Sequence, residues 1–464
     1  MKRCLPAGYE ILLLLLMLAG CHACATPEGE QLDPSEWLPG GEATNTRIIG
    51  ASAFLLPAPN LSPENSKGFY GGNGFFNQGW VEAPASTEAR DGLGPFFNAR
   101  SCSACHFRDG KADPPESGEG PFVGLLLRLS VPGDDGPIPH PSYGNQLQDQ
   151  ANPDFPPEGV PSVEWISEDG AYDDGTPYSL VRPEFTINNL RYGEMPEDLM
   201  ISPRIAPHMI GLGLLEAIPA SRLEELEDPD DEDENGVSGR VQWVDLRGKM
   251  VPGRFGWKAE APDVEIQTAE ALAGDMGLTS AVKPQDNCTS GQDDCLAAVN
   301  GGEPEVTEHI FNRMVLYSRA VAVPARRAAN DPAVVRGKKI FYELECQACH
   351  TPSHVTVADA PVPEFSNQTI WPYTDLLLHD MGEGLADGRP SLGANGREWK
   401  TPPLWGLGLM KTAAGHTRYL HDGRARNLEE AILWHGGEAQ RSQERFKALS
   451  LAQREDLLEF VGDL

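Results

Sequence analysis

Positive charge is what this sequence has least of. Among 464 residues, 37 Lys and Arg face 69 Asp and Glu, giving a formal net charge of −32. A nucleic-acid partner is excluded on that ground, because phosphate binding needs a net basic face. Long apolar runs are equally scarce. The one unbroken run, residues 11–19, is too short to span a bilayer as a mature helix. Short internal repeats are missing too, which argues against a solenoid. What is plentiful is Gly (49) and Pro (40), so long ordered loops are expected. At 40% hydrophobic residues the chain still has enough apolar matter for real cores, and its length allows two or more domains.

The apolar run follows Lys2 and Arg3, a basic start that reads as a signal peptide over residues 1–20. Leu18-Ala19-Gly20-Cys21 resembles a bacterial lipobox, which implies cleavage before Cys21 and lipid on its thiol. The expectation is export to the periplasm or outer membrane as a lipoprotein, with the lipid as sole membrane anchor. Residues 21–66, rich in Pro, Gly and Glu without periodicity, read as a tether.

The cysteines fall into a pattern. Cys102-Ser-Ala-Cys105-His106 and Cys346-Gln-Ala-Cys349-His350 both have the C-x-x-C-H spacing of c-type haem attachment. Two thiols on one turn add to the two vinyl groups of haem, and the next His binds the iron. Zinc more often uses C-x-x-C pairs without the fixed His, and a thioredoxin-like redox pair would not come twice with it. Two covalent haem c groups are therefore expected. Cys288 and Cys295 bracket a Gly- and Asp-rich loop and are expected to pair in a disulfide, which an exported compartment permits. Cys24 is left without a role.

Two units are expected: a first haem domain over residues 67–327, with an irregular, partly stranded insertion at 111–185, and a cytochrome c domain over 328–464. In the second, Asp331 can cap a helix with Pro332 at its first position, leading into Cys346. Ser450-x-x-Gln453 can open a terminal helix with a capping box. The fold class is mainly α and loop-rich.

Residues 91–106, ending in the first haem motif, resemble the bacterial di-haem oxidoreductases, often labelled thiol oxidoreductases. So do Ile210–Ile218, Arg254-Phe-Gly-Trp-Lys258, Leu378-His-Asp-Met-Gly382 and the stretch from Tyr419-Leu-His-Asp-Gly-Arg424 through Trp434-His-Gly-Gly-Glu438. That family is similar to the di-haem cytochrome c peroxidases and the tryptophylquinone-maturing enzymes. The resemblance implies two cytochrome c-like domains facing each other, with peroxide handled at the N-terminal haem and electrons entering at the C-terminal one. It implies His435, fourteen residues after His421, as the second axial ligand of the C-terminal haem, where the relatives carry Met or Tyr. Asn427-x-x-Glu430 can start a helix that Gly436-Gly437 ends directly after this His. It implies Trp257 as the bridge between haems and Gln267 as a distal amide. The relatives' catalytic Glu follows that Gln by ten residues; here Asp275 follows by eight and is the candidate acid/base. Glu216, in the apolar run Ile210–Ile218, is the runner-up, with burial expected to raise its pKa. For the first haem, His208 and Met195 are open choices as distal ligand, as is an empty position.

Asp231-x-Asp233-x-Asn235-Gly236 matches the start of a calcium loop, but position twelve is Gln242 rather than Glu, and a solvated acidic loop fits equally. The favoured function is reduction of peroxide or another small oxidant, with electrons from a redox donor protein or a quinol-linked cytochrome. A pure electron-transfer lipoprotein, and oxidation of a partner or thiol, stand as alternatives. Cys21→Ser is expected to release the protein from the membrane fraction. Retention of that variant in membranes after a high-salt wash would show another anchor.

Overall fold

The computed structural model describes residues 33–47, 50–134 and 136–464. The signal segment, Cys21 and Cys24 lie outside the described residues. Two close helix crossings dominate the fold. The Pro63–Asn77 helix starts at Ser62, whose side chain accepts from Asn65 N, with Pro63 in its first turn. It lies against the Glu308–Ala320 helix. Glycine makes that approach possible: a Cβ on Gly72 would stand 2.1 Å from the Arg313 carbonyl oxygen, and one on Gly68 2.5 Å from Leu316 Cδ2. The second crossing pairs the Pro332–Glu343 helix, capped by Asp331, with the terminal Leu451–Asp463 helix. Here Gly337 plays the same part, its Cβ position 1.9 Å from the Asp456 carbonyl oxygen. The Ser450 N–H donates to Gln453 Oε1 at 3.1 Å, satisfying a donor at the start of the last helix.

Helix exceeds strand, 31% to 19%, and the strands lie in sheets of only two or three. Leu125–Ser130 and Met200–Ile205 pair antiparallel, from Leu125 opposite Ile205 to Ser130 opposite Met200. The period of two divides their side chains. Leu125, Leu127 and Leu129 enter a satellite core with Phe122, Tyr143, Leu147 and Val163. Leu126, Arg128 and Arg204 take the other face. A longer hairpin, Val160–Ala171 with Pro177–Asn188, projects toward the C-terminal helices. Its end is tied there: the Tyr172 hydroxyl donates to Glu429 at 2.6 Å, and the Arg454 guanidinium lies 3.8 Å from the Tyr172 ring centre and pairs with Asp174. Among the described residues no helix is long and apolar enough to cross a membrane.

The expected tether is a correction. From Asp33 onward the segment is packed into the body of the protein. Thr44–Asn45 adds to Val323–Pro324 as a parallel strand. Glu36 is fully buried, accepting from Arg326 at 2.8 Å, Lys338 at 2.5 Å and the Tyr373 hydroxyl at 3.1 Å. Composition suggested a linker because Pro and Gly also build tight ordered loops, and Glu36 finds its cations some 290 residues away. Glu36→Ala should destabilise the protein by about 3–5 kcal/mol, because it strips the shared carboxylate from two buried cations. Urea unfolding followed by circular dichroism measures this; a loss under about 1 kcal/mol would mean the segment is not part of the folded body.

Candidate functional site

Both C-x-x-C-H motifs form one tight turn. The His106 N–H bonds to the Cys102 carbonyl at 2.9 Å and the His350 N–H to the Cys346 carbonyl at 3.0 Å, which sets each thiol pair beside its imidazole. Each imidazole is then pinned through Nδ1, His106 to the Pro207 carbonyl at 2.7 Å and His350 to the Tyr373 carbonyl at 3.0 Å. His435, just beyond the Leu428–Leu433 helix, is held the same way by the Ala431 carbonyl at 2.7 Å. A carbonyl only accepts, so Nδ1 carries the proton in all three and Nε2 keeps its lone pair. The three imidazoles and the four cysteines line one cavity of about 780 Å³. Phe76 stands 6.2 Å from His106 and Phe341 6.4 Å from His350, each from the helix that precedes its motif.

Burial pushes His106 and His350 down to about 4 and lowers His435, so all three are neutral, the form that binds a metal. Burial also pushes Cys102, Cys105 and Cys346 up to about 12. These are protonated thiols, unlike the acidic thiolate of a redox pair. Paired thiols and a pinned neutral imidazole at each of two walls of an apolar cavity fit a haem at each.

Trp257 lines the same cavity. Its Nε1–H donates to the Ile205 carbonyl at 2.7 Å, Lys111 Nζ lies 5.1 Å from its ring centre, and His421 meets it edge-on at 6.4 Å. His421 in turn stacks on Trp399, ring centres 3.7 Å apart. Beneath them the buried Lys258 ammonium donates to Asp387 Oδ1 at 2.9 Å and to the Arg389 and Asn395 carbonyls at 2.8 Å each.

A family model described as "Di-haem oxidoreductase, putative peroxidase" matches residues 38–122 and 168–464. The chain belongs to the di-haem oxidoreductase family. A search of the curated proteins returns no match. A solved structure of hydrazine synthase from Kuenenia stuttgartiensis, pressurised with 20 bar xenon, aligns over 91% of this chain and 96% of that one. The identity is 14% and the TM-score 0.34.

Within this di-haem oxidoreductase the acid/base candidates separate. Gln267, on the Val264–Met276 helix capped by Asp263, lines the cavity. Asp275 lines it beside the first thiol pair, where its charge bears on Cys102 and Cys105; Gln146 donates to it at 2.9 Å, and burial raises its pKa. Glu216 is corrected out of the site. Arg319 binds both its oxygens, at 2.6 and 2.7 Å, and the Val264 N–H donates to it at 3.1 Å. It caps a helix start instead of facing the cavity. Among the carboxyls that sequence reading missed is Glu270. It lines the cavity one turn beyond Gln267, its pKa raised by burial. The i, i+3 spacing with Gln267 was the available signal.

Met195 packs against the satellite core, away from the cavity. His208 lines the cavity with a buried, unpartnered Nδ1. His379 has both ring nitrogens engaged, Nδ1 by Glu438 at 2.7 Å and Nε2 by Asp375 at 2.9 Å, so it shapes the second motif's surroundings. Cys288 and Cys295 form a disulfide. In the acidic loop, Asp228 joins Asp231 and Asp233, whose carboxylates lie within 4.8 Å of one another. Asn235 lies beside them: its side-chain amide donates to Asp233 at 2.8 Å and its Oδ1 accepts from Val237 N.

Asp109, three residues past the first motif, accepts from the Tyr317 hydroxyl at 2.6 Å, and burial pushes it up to about 7. The folded form therefore keeps this proton where the unfolded chain has lost it. Stability from this group is present below about pH 4 and declines as pH rises to about 7, by up to about 4 kcal/mol. Asp109→Asn should flatten that part of the stability–pH curve in urea unfolding; an unchanged slope would mean that Asp109 ionises normally.

Proposed function

We propose that this di-haem oxidoreductase carries two covalent haem c groups and reduces peroxide or a related small oxidant at the first, with electrons entering at the second. The observation that carries the reading is the asymmetry of the cavity. Both motifs present the same thiols and pinned imidazole, but the second has His435 close enough to bear on His350, whereas the polar groups Gln267, Glu270 and Asp275 line the cavity on one helix. Cys102, Cys105 and His106 would hold the first haem, and Cys346, Cys349, His350 and His435 the second. When bound, the haems supply one-electron steps and a site for O–O cleavage.

The chain's own residues do the rest. Gln267 offers an amide to orient a hydroxyl group. Glu270, whose burial favours the protonated form, can hold and deliver a proton at its carboxyl oxygen, and Asp275 is a second such group. Reduction of hydrogen peroxide to two waters consumes two electrons and two protons, so a carboxyl facing the cavity has a defined task. Trp257, held by the Ile205 carbonyl, offers an aromatic path between the haems. A redox protein or a quinol-linked cytochrome is the proposed donor, and export with lipid on Cys21 belongs to the same reading. One observation favours the electron-carrier alternative: His208 keeps a buried, unpartnered ring nitrogen in the cavity wall and would be available to help hold the first haem.

Denaturing mass spectrometry should find two haem additions that survive acid acetone. A resting magnetic resonance spectrum should then show one low-spin and one high-spin or weakly ligated haem. Two fixed low-spin haems would establish the carrier. His435→Met should raise the potential of the low-spin haem, because thioether donates less than imidazole, and His435→Ala should change its spin state. If neither substitution moves the spectrum or potential, His435 is not a ligand.

A further inference from the structure

The guanidinium groups in the cavity wall keep donors that the chain does not pair. The strand register sets Leu126 opposite Arg204 and Arg128 opposite Ser202, so both guanidinium groups rise from one face of the pair. Both line the cavity, and Arg389 joins them from the loop that also receives Lys258. Arg204 pairs through Nη1 with Glu260 and donates through Nε to Ser202 at 3.1 Å. Its Nη2 is buried with no partner, although the residue is only 6% exposed. Arg389, 9% exposed, gives Nε to Ser130 at 2.8 Å. For the Arg128 guanidinium no hydrogen bond or ion pair occurs among the described residues.

The carboxylates that the Arg128 charge reaches are Glu260, Glu270 and Asp275; Asp387 is taken by Lys258, and Lys400 adds a further cation nearby. Arg389 is pushed down to about 10 by burial and by the charges of Arg204 and Arg128. Arg204 Nη2 is a buried guanidinium donor with no partner, which is costly to leave, so such an arrangement fits a structure that is completed by an anion.

We infer that Arg128, Arg204 and Arg389 form a carboxylate-binding cradle in the cavity wall. Guanidinium forks match a carboxylate in two parallel hydrogen bonds. The remaining lining is mostly apolar, including Leu126, Leu392 and Phe255. A cationic edge on an apolar cavity suits a flat apolar body bearing carboxylate arms. Arg128 also lies between the two segments matched by the family model, so this part of the cradle belongs to the insertion. Two sources share the chemistry: the propionates of a haem in this cavity, and a free carboxylate-bearing substrate. Only the first rests on the haem reading above.

The test uses the full, haem-loaded protein and its Arg128→Gln, Arg389→Gln and Arg128→Lys variants. Arg204 is left in place because it pairs with Glu260. Haem content is measured on every sample, followed by potentiometric titration and a succinate titration read by the visible spectrum and by calorimetry. If propionates occupy the cradle, losing a cation favours the ferric state. One midpoint potential should then fall by about 59 mV, a tenfold change in the ferric/ferrous ratio. Arg128→Lys should restore part of it, and succinate should have no effect. If a free carboxylate is the ligand, succinate should bind the parent saturably, with at least tenfold weaker binding in both Gln variants and unmoved potentials. Two haems with unshifted potentials and no succinate binding would overturn the cradle. A chain without haem would sink the functional reading instead, and succinate calorimetry on parent and Arg128→Gln would still decide the cradle.

Discussion

Two C-x-x-C-H turns far apart in sequence open onto one apolar cavity, and the rest of the interior is arranged to meet that constraint. Protein interiors pack to crystal-like density, so walls around a cavity of about 780 Å³ need stiff supports. The supports are the two glycine-permitted helix crossings. Each brings a phenylalanine, Phe76 or Phe341, against the imidazole of its motif. Phe341 also meets Phe460 and Tyr373 edge-on, so the second crossing and the second motif share one aromatic cluster.

Buried ion pairs fix how the walls meet. Lys258 is wholly enclosed and saturates its three donors on Asp387 and two carbonyls, which ties the Trp257 turn to residues 387–395. Glu36 joins Arg326 and Lys338, and Arg326 reaches on to Asp463 in the last helix. Such pairs add little net stability, since desolvation cancels most of the attraction, but a misplaced partner is costly. They therefore select one arrangement of segments that loops alone would leave loose. The long hairpin does this by a different route, holding the C-terminal helices through Tyr172 and Asp174.

Similar local chemistry at the two motifs coexists with different surroundings. Around the second, every ring nitrogen of His379 is bound by a carboxylate, whereas His350 and His435 are each held through Nδ1 and keep Nε2 free. The helix bearing Gln267, Glu270 and Asp275 lines the cavity with polar groups, and Asp275 lies beside the first thiol pair. The family to which the chain belongs is one of di-haem oxidoreductases, and the function proposed above rests on this unevenness.

What the sequence determined by itself is whatever depends on near neighbours. The C-x-x-C-H turns and the Asp331 and Asn427 caps all follow from contacts within a few residues. The family motifs were legible for the same reason. What only the tertiary structure decided depends on partners distant in the chain. Glu216, read as a buried acid, is neutralised by Arg319. Glu36, read as part of a tether, is locked by Arg326 and Lys338. Arg128 and Arg204 meet because of strand register, and Arg389 arrives from another part of the chain altogether. A charge's meaning lies in the dielectric and the countercharge around it, and neither is written in local spacing.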